Sequence, residues 1–329
     1  MNTQLPDEQL CGVSAAPRIP FMQRLRLPVI AAPMFLVSGV DMVLAACRAG
    51  IVGAFPAPNA RTAADLDAMC AGITGALAGS PQAAPWALNL ITHATYERLG
   101  AELEIIARYR PELVITALGS PEPALRTVKE YGGMVFSDVA TVAQAKKAVA
   151  HGADGLVLLC AGAGGHTGIY NPFAFLREVR QFWSGPLVLS GGIADAAGIR
   201  AAEVLGADLV YMGTRFIASP ESLVPDAYRQ MLVESTLEDL VTSAAVTGVS
   251  ASWLRRSLEE TGWTAEKLAT GTRRKPDFSG DIGADGKAWK NVWAAGQGVG
   301  LVKKVEPIAD IVAALEHDYH QIRLPGARR

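Results

Sequence analysis

The sequence predicts an α/β protein built as a (β/α)8 barrel, with a helical insertion between the eighth strand and the closing helix. Three observations predict it. From residue 28 onward, short apolar runs alternate with stretches of helical periodicity, the pattern of βα units around a parallel sheet. Eight such runs are present, which suits a closed barrel better than the runner-up, an open doubly wound sheet. A repeated ending, Ala-x-x-x-Gly-Ala-Asp, at Ala148 to Asp154 and again at Ala202 to Asp208, stops a helix at glycine and starts a buried strand.

The expected strands, in order, are PVIAAP from Pro28, IVGAF from Ile51, WALNL from Trp86, ELVITAL from Glu112, GMVFSDV from Gly133, DGLVLLC from Asp154, PLVLS from Pro186 and DLVYMG from Asp208. Helix-like sequence follows each, such as TVAQAKKAVAHG after the fifth and DAAGIRAAEVLGA after the seventh. Residues 1–20 read as an irregular lead-in. Residues 222–292 break the rhythm with helix-like PDAYRQMLVES, SWLRRSLEETG and TAEKLATG, then a Gly- and Asp-rich stretch from Asp277 to Gly286. This divides the chain into a barrel, residues 1–221 plus 293–329, and a helical insertion, residues 222–292. The barrel closes with an amphipathic helix from Pro307 to about His320.

With 329 residues, half of them hydrophobic, the chain can bury a large core. A formal net charge of -2 gives no basic footprint for nucleic acid or an anionic membrane. Cys11, Cys47, Cys70 and Cys160 are far apart, without the close pairing of zinc or redox motifs. No metal site is expected, and the thiols read as reduced ones in a soluble cytoplasmic protein. The N-terminus, with Asp7 and Glu8, lacks the basic and apolar regions of a signal peptide. No segment approaches the roughly 20 apolar residues of a membrane span.

Two segments carry the chemistry. Ser190, Gly191 and Gly192 follow the seventh strand and open a helix, while Gly213 and Thr214 end the eighth. Consecutive loops of this kind can aim several backbone N–H groups at one phosphate, which barrels often bind after these two strands. The second segment is CAGAGGHTG, Cys160 to Gly168, directly after the sixth strand. Its glycines, with Ala163, Gly164 and Gly165 leading into His166, let backbone lie against a flat ligand. They also bring a side chain suited to proton transfer near neutral pH to the barrel mouth, where catalytic groups of barrels sit.

Taken in order, AAPM at Ala31 to Met34, NL at Asn89-Leu90, AGGH at Ala163 to His166, SGGIAD at Ser190 to Asp195, MGTRF at Met212 to Phe216 and AGQGVG at Ala295 to Gly300 resemble the nitronate monooxygenase family, formerly the 2-nitropropane dioxygenases. The resemblance spans residues 28 to 302. It implies a TIM barrel binding FMN, with Ala32, Pro33, Met34 and Asn89 beside the isoalloxazine and ribityl region. Gly191, Gly192, Gly213 and Thr214 would hold the phosphate, and Gly296 and Gln297 would pack nearby. It also implies that His166 withdraws the α-proton of a nitroalkane or orients a nitronate, with dioxygen as co-substrate and a carbonyl compound and nitrite as products. Many members of the family carry an acidic residue where this chain has Gly162, which bears on substrate and electron donor and not on fold.

His93 and Ser120, beyond the third and fourth strands, are weaker substrate candidates, and Thr116 and Gly119 lie near them. Ser137 and Asp138 end the fifth strand, where the carboxylate reads as a helix cap. His151, His317 and His320 read as structural or solvated, and the tryptophans as core. Three readings share this scaffold: nitronate oxidation, and NAD(P)H-dependent reduction of either quinones or enoyl thioesters. The lack of a second, G-x-G-x-x-G loop favours a substrate that itself reduces the flavin. A fourth reading, of another class, is a flavin-free phosphate-binding synthase or isomerase. An insertion at the barrel mouth could cover the site or join subunits into a homo-oligomer.

Overall fold

A computed structural model describes residues 19–270 and 290–323. In chain order it contains β1 (Val29–Ala31), α1 (Val40–Ala49), β2 (Val52–Pro56), α2 (Ala63–Leu77), β3 (Trp86–Ile91), α3 (Leu99–Tyr109), β4 (Leu113–Ala117) and α4 (Glu122–Glu130). Then come β5 (Met134–Val139), α5 (Val142–Ala150), β6 (Gly155–Leu159), the two-residue β7 (Gly165–His166), α6 (Pro172–Val179), β8 (Leu187–Ser190), α7 (Ala196–Leu205) and β9 (Leu209–Met212). Strands β1–β6, β8 and β9 form a closed barrel. The ring shuts where β1 pairs in parallel with β9, Ile30 against Tyr211. Each strand falls on its expected run, β2 and β3 extending one residue beyond it to Pro56 and Ile91, and the doubly wound alternative is excluded by closure.

Strand side chains alternate between faces, and the buried clusters follow that alternation. Ile30, Val52, Ala54, Ala87, Ile115, Phe136, Val157, Val188, Leu209 and Tyr211 fill the barrel interior. Their neighbours point outward under the helices, such as Leu88, Leu90 and Val114, or Leu156, Leu158, Val210 and Met212. Both faces of each strand are therefore apolar, which is why these runs read as continuous hydrophobic stretches in the sequence.

The repeated Gly-Ala-Asp ending acquires a physical meaning. Gly152 and Gly206 adopt positive φ, and Ala153 and Ala207 N–H close back onto the carbonyls of Ala148 and Ala202 at 3.1 and 2.9 Å, ending α5 and α7. The aspartate then serves the neighbouring strand. Asp154 Oδ2 accepts from Val135 N–H at 2.7 Å, and Asp208 Oδ2 from Leu187 N–H at 2.8 Å. Each also pairs with a base from the preceding helical segment, Lys129 and Arg180 respectively. The repeat is a bolt at the bottom of the barrel, remote from the strand ends that bear the loops.

After β9 come α8 (Thr214–Ile217), α9 (Asp226–Glu234), β10 (Leu240–Ser243), β11 (Ala251–Leu254), α10 (Arg255–Glu260), α11 (Ala265–Thr270) and α12 (Ile308–Gln321). The insertion was expected to be helical. It also contains the antiparallel pair β10–β11, whose free edge takes β7 to make a three-stranded sheet. The residues of β11, Ala-Ser-Trp-Leu, are all buried, and Trp253 is fully enclosed. Burial from both sides, supplied by distant parts of the chain, overrides the helix-like reading of Ser252 onward. The lead-in before residue 19, Cys11, and the Gly- and Asp-rich stretch fall outside the described residues. No helix among the described residues is long and apolar enough to cross a membrane.

Barrel and helix shell meet closely at Gly53, where an added Cβ would fall 2.5 Å from Val43 O and 2.9 Å from its Cα. Helix α1 cannot yield locally there, because backbone is what the Cβ meets. Gly53→Ala is therefore expected to lower stability by about 1–3 kcal/mol, read as a lower urea midpoint at unchanged slope.

Candidate active site

The topmost inward positions of several strands are polar. Asn89, Asp138, Ser190 and Tyr211 continue the alternation set by Ala87, Phe136, Val188 and Leu209, so all four face the barrel axis. Asn89 Nδ2 donates to Ile115 O at 3.1 Å and to Asp138 Oδ2 at 3.4 Å. Asp138 Oδ1 and Tyr211 Oη are sealed from solvent without a hydrogen-bond partner among the described residues. Desolvation pushes the Asp138 carboxyl up to about 7, Asn89 opposing weakly. Asp138 is thus not the helix cap expected from sequence, since Thr141 caps α5 by accepting from Gln144 N–H. An acid one residue beyond Ser137 on a strand of period two must point inward, which the cap reading overlooked.

His166 reaches the mouth on β7, and what holds it comes from the insertion. It pairs with Ala251 of β11, and Gly165 with Ser252. Thr167 N–H donates to Ser250 O at 3.0 Å, and Thr167 Oγ1 to Cys160 O at 3.0 Å. Ser252 Oγ in turn donates to Ala295 O at 2.7 Å, tying β11 to the C-terminal return. Burial lowers the His166 pKa to about 4, so the imidazole is neutral at pH 7 and carries a charge only in acid.

Glycines let three backbones meet behind that histidine. Gly162, at positive φ, offers its carbonyl to Gly192 N–H at 3.2 Å and to Gln297 N–H at 2.8 Å. One acceptor thus joins the loops after β6 and β8 to the return. A Cβ on Gly164 would fall 2.6 Å from Gly296 N, and one on Gly298 would fall 2.6 Å from Ala194 Cβ. Thr214 Oγ1, at the start of α8, accepts from Gly296 N–H at 2.8 Å. Gly162 has a φ of 94°, which disfavours a side chain, and a Cβ there would also sit 2.9 Å from Gln297 Oε1. The glutamine amide fills the space that a side chain at residue 162 would use.

Ala32, Pro33 and Met34 lie at the end of β1, partly buried, and Met34 Sδ is 3.1 Å from where a Cβ on Gly213 would be. The strand ends after β1 and β9 therefore touch. Asn59, which sequence reasoning missed, fixes this turn: Nδ2 donates to Met34 O and Ser38 O, and Oδ1 accepts from Leu36 N–H at 2.8 Å. Leu36 there has a φ of 59°, strained for a branched side chain. An asparagine in the short APNA turn after β2 was the available signal.

The weaker candidates separate. His93 is partly buried in the loop after β3, its Nδ1 2.9 Å from Thr95 Oγ1. Ser120 turns to the outer helices, its hydroxyl bonding Glu122 and His151. Thr116 Oγ1 donates to Phe136 O within the barrel wall. No group of three or more His, Cys, Asp or Glu able to hold a metal occurs among the described residues.

Comparison with known proteins shows the family and the fold. Residues 21–318 match the nitronate monooxygenase family. A (3aS,4S,5R,7aS)-5-hydroxy-7a-methyl-1-oxo-octahydro-1H-indene-4-carboxyl-CoA dehydrogenase of Mycobacterium tuberculosis is 30% identical over 75% of this chain and 67% of its own. A nitronate monooxygenase of Paraburkholderia phytofirmans is 27% identical over 89% of this chain and 92% of its own. Among solved structures, a nitroalkane oxidase from Streptomyces ansochromogenes superposes with a TM-score of 0.77 at 21% identity, covering 91% of this chain and 97% of that one, and so shares the fold.

The glycine stack is open to test by paired substitutions. Gly164→Ala drives a Cβ into the return and is expected to cost about 1–3 kcal/mol. Gly192→Ala meets nothing within 4 Å, so its cost is limited to the left-handed backbone, about 1 kcal/mol. Equal losses in chemical denaturation would show that contact between the two backbones is not what Gly164 serves.

Proposed function

The chain belongs to the nitronate monooxygenase family and is a flavin-dependent oxidoreductase, and from that premise we propose that it uses FMN to oxidise nitronates and nitroalkanes with dioxygen, yielding a carbonyl compound and nitrite. The observation that carries the reading is the meeting, at one end of the barrel, of a neutral, desolvated imidazole with glycine-paired loops and a polar inner layer that contains orphaned atoms.

The residues fit such a cofactor. Gly191 and Gly192 adopt φ of 113° and 73°, and Gly192 faces open space, as a cradle for a phosphate requires. Because Gly192 N–H is given to Gly162 O, the N–H groups of Gly191, Gly213 and Thr214 are the donors assigned to that phosphate. Thr214 Oγ1 already accepts from Gly296 N–H, so its own proton is left to donate. Asn89 and the Ala32–Met34 turn would border the ring, and Gln297 would pack behind His166. A bound flavin supplies the electron-accepting chemistry; placement and proton control belong to the chain.

His166 performs the proton step. A neutral imidazole can take the α-proton of a nitroalkane at pH 7, and the imidazolium formed then lies beside the nitronate anion, each charge stabilising the other in a site of low polarity. A substrate that arrives as the nitronate needs orientation alone. Gly162 brings no carboxylate next to the base, so nothing there repels an anionic substrate. A second reading, NAD(P)H-dependent reduction of an enoyl thioester, is favoured by one observation, the 30% identity to a protein whose name gives a carboxyl-CoA thioester as its substrate, the octahydro-indene-4-carboxyl-CoA dehydrogenase.

Three experiments test these readings. Purified protein is expected to be yellow and to release FMN on denaturation, and anaerobic addition of propionate 3-nitronate or 2-nitropropane is expected to bleach it. Bleaching by NADH with no response to nitronate moves the function to a reductase, and absence of flavin restores the synthase or isomerase reading. His166→Asn is expected to keep FMN yet lose about 100-fold or more on neutral nitroalkane, and under about tenfold on preformed nitronate. With the pKa lowered to about 4, wild-type turnover of nitroalkane should be level near neutrality and fall as pH drops through about 4. Equal losses on both substrates would argue against a base.

A further inference from the structure

Asn89 is 8% exposed, on β3, and both hydrogens of its amide are assigned. One goes to the Ile115 carbonyl at 3.1 Å, the other to Asp138 Oδ2 at 3.4 Å. The side chain then has one polar atom left, Oδ1, which can only accept. Turning the amide over would set that oxygen against the Ile115 carbonyl, oxygen to oxygen, and strip Asp138 of its donor. We propose that Asp138 is a positioning residue, which holds the Asn89 amide so that the ligand at the barrel mouth meets an acceptor and must itself bring a donor. The inference rests on the flavin reading of that mouth.

Asp138 is suited to this by its surroundings. On the flanking strands β4 and β6, the inward positions are Ile115, Ala117, Val157 and Leu159, none of which titrates or carries a charge. Across the barrel Tyr211 is held protonated, its pKa raised well above normal by burial and by Asp138 itself. No cation among the described residues stabilises the carboxylate, so desolvation prevails and its pKa is raised to about 7. Below that pH, Asp138 accepts from Asn89 without placing a buried charge beneath the ring. The consequence is chemical selectivity: an oxidised flavin ring has one N–H donor, at N3, and this is the group an acceptor at Asn89 selects.

The test uses full-length protein stripped of flavin and reloaded with FMN labelled with 15N at N3. In wild type the N3 proton is expected to be shifted downfield and protected from exchange relative to free FMN. Asp138→Asn keeps an acceptor oxygen and should preserve that resonance, with FMN affinity by fluorescence quenching within about threefold. Asp138→Leu keeps the volume and removes the acceptor. It should return the N3 proton toward its free position and weaken FMN binding about tenfold, the worth of one hydrogen bond. Should the leucine variant not fold, Asp138→Ser, too short to reach Asn89, is read in its place. An N3 proton unchanged in these variants, or exchanging in wild type as in free FMN, overturns the inference while leaving the flavin reading intact. Wild-type protein that takes up no FMN overturns both.

Discussion

The site depends on three backbones packed at van der Waals contact where side chains are excluded. Gly162 gives its one carbonyl to both Gly192 and Gln297, and Gly164 lies so close to Gly296 that a Cβ would overlap its nitrogen. Everything else at the mouth is referred to that junction. The loop that carries His166 leaves from it, the C-terminal return is stapled to it, and Thr214 bonds the return from the far side. The cost in glycine conformational entropy is offset by hydrogen bonds that unite distant segments, Gly162 with Gly192 and Gln297, and Thr214 with Gly296.

The insertion completes this frame. A two-residue strand such as β7 has no stability of its own, and pairing with β11 gives His166 a fixed backbone. Strand β11 is anchored in turn by buried Trp253 and by the Ser252 bond to Ala295. The surroundings that fix the histidine also desolvate it, so position and protonation state have one cause. On the neighbouring strand β5, Asp138 is desolvated too, with the opposite sign of effect: burial lowers the pKa of the imidazole and raises that of the carboxyl.

Most of the barrel was legible from local pattern. Parallel strands buried on both faces are continuous apolar runs, and the Gly-Ala-Asp endings mark where α5 and α7 stop. The glycine pairs at 191–192 and 213–214 were visible as strand-to-helix turns. Their neighbours were not. Asn59 acts on residues 21 to 25 positions away, and Ser120 looks like a mouth residue in sequence yet bonds to His151, at the C-cap of α5. The insertion read as helical because Ser252 to Gly262 begins with residues whose strand pairing lies elsewhere in the chain.

By itself, then, the sequence determined the eight-unit α/β repeat and the loops at its C-terminal ends, because period, burial and glycine turns are properties of neighbouring residues. Tertiary structure alone decided that a strand of the insertion holds His166, that Gln297 fills the space beside Gly162, and that Asp138 faces inward to Asn89 and caps no helix. Each of these is a contact between distant segments. Which atom lies against which was set by closure of the barrel and by the return of the chain across its mouth, and no local pattern encodes that.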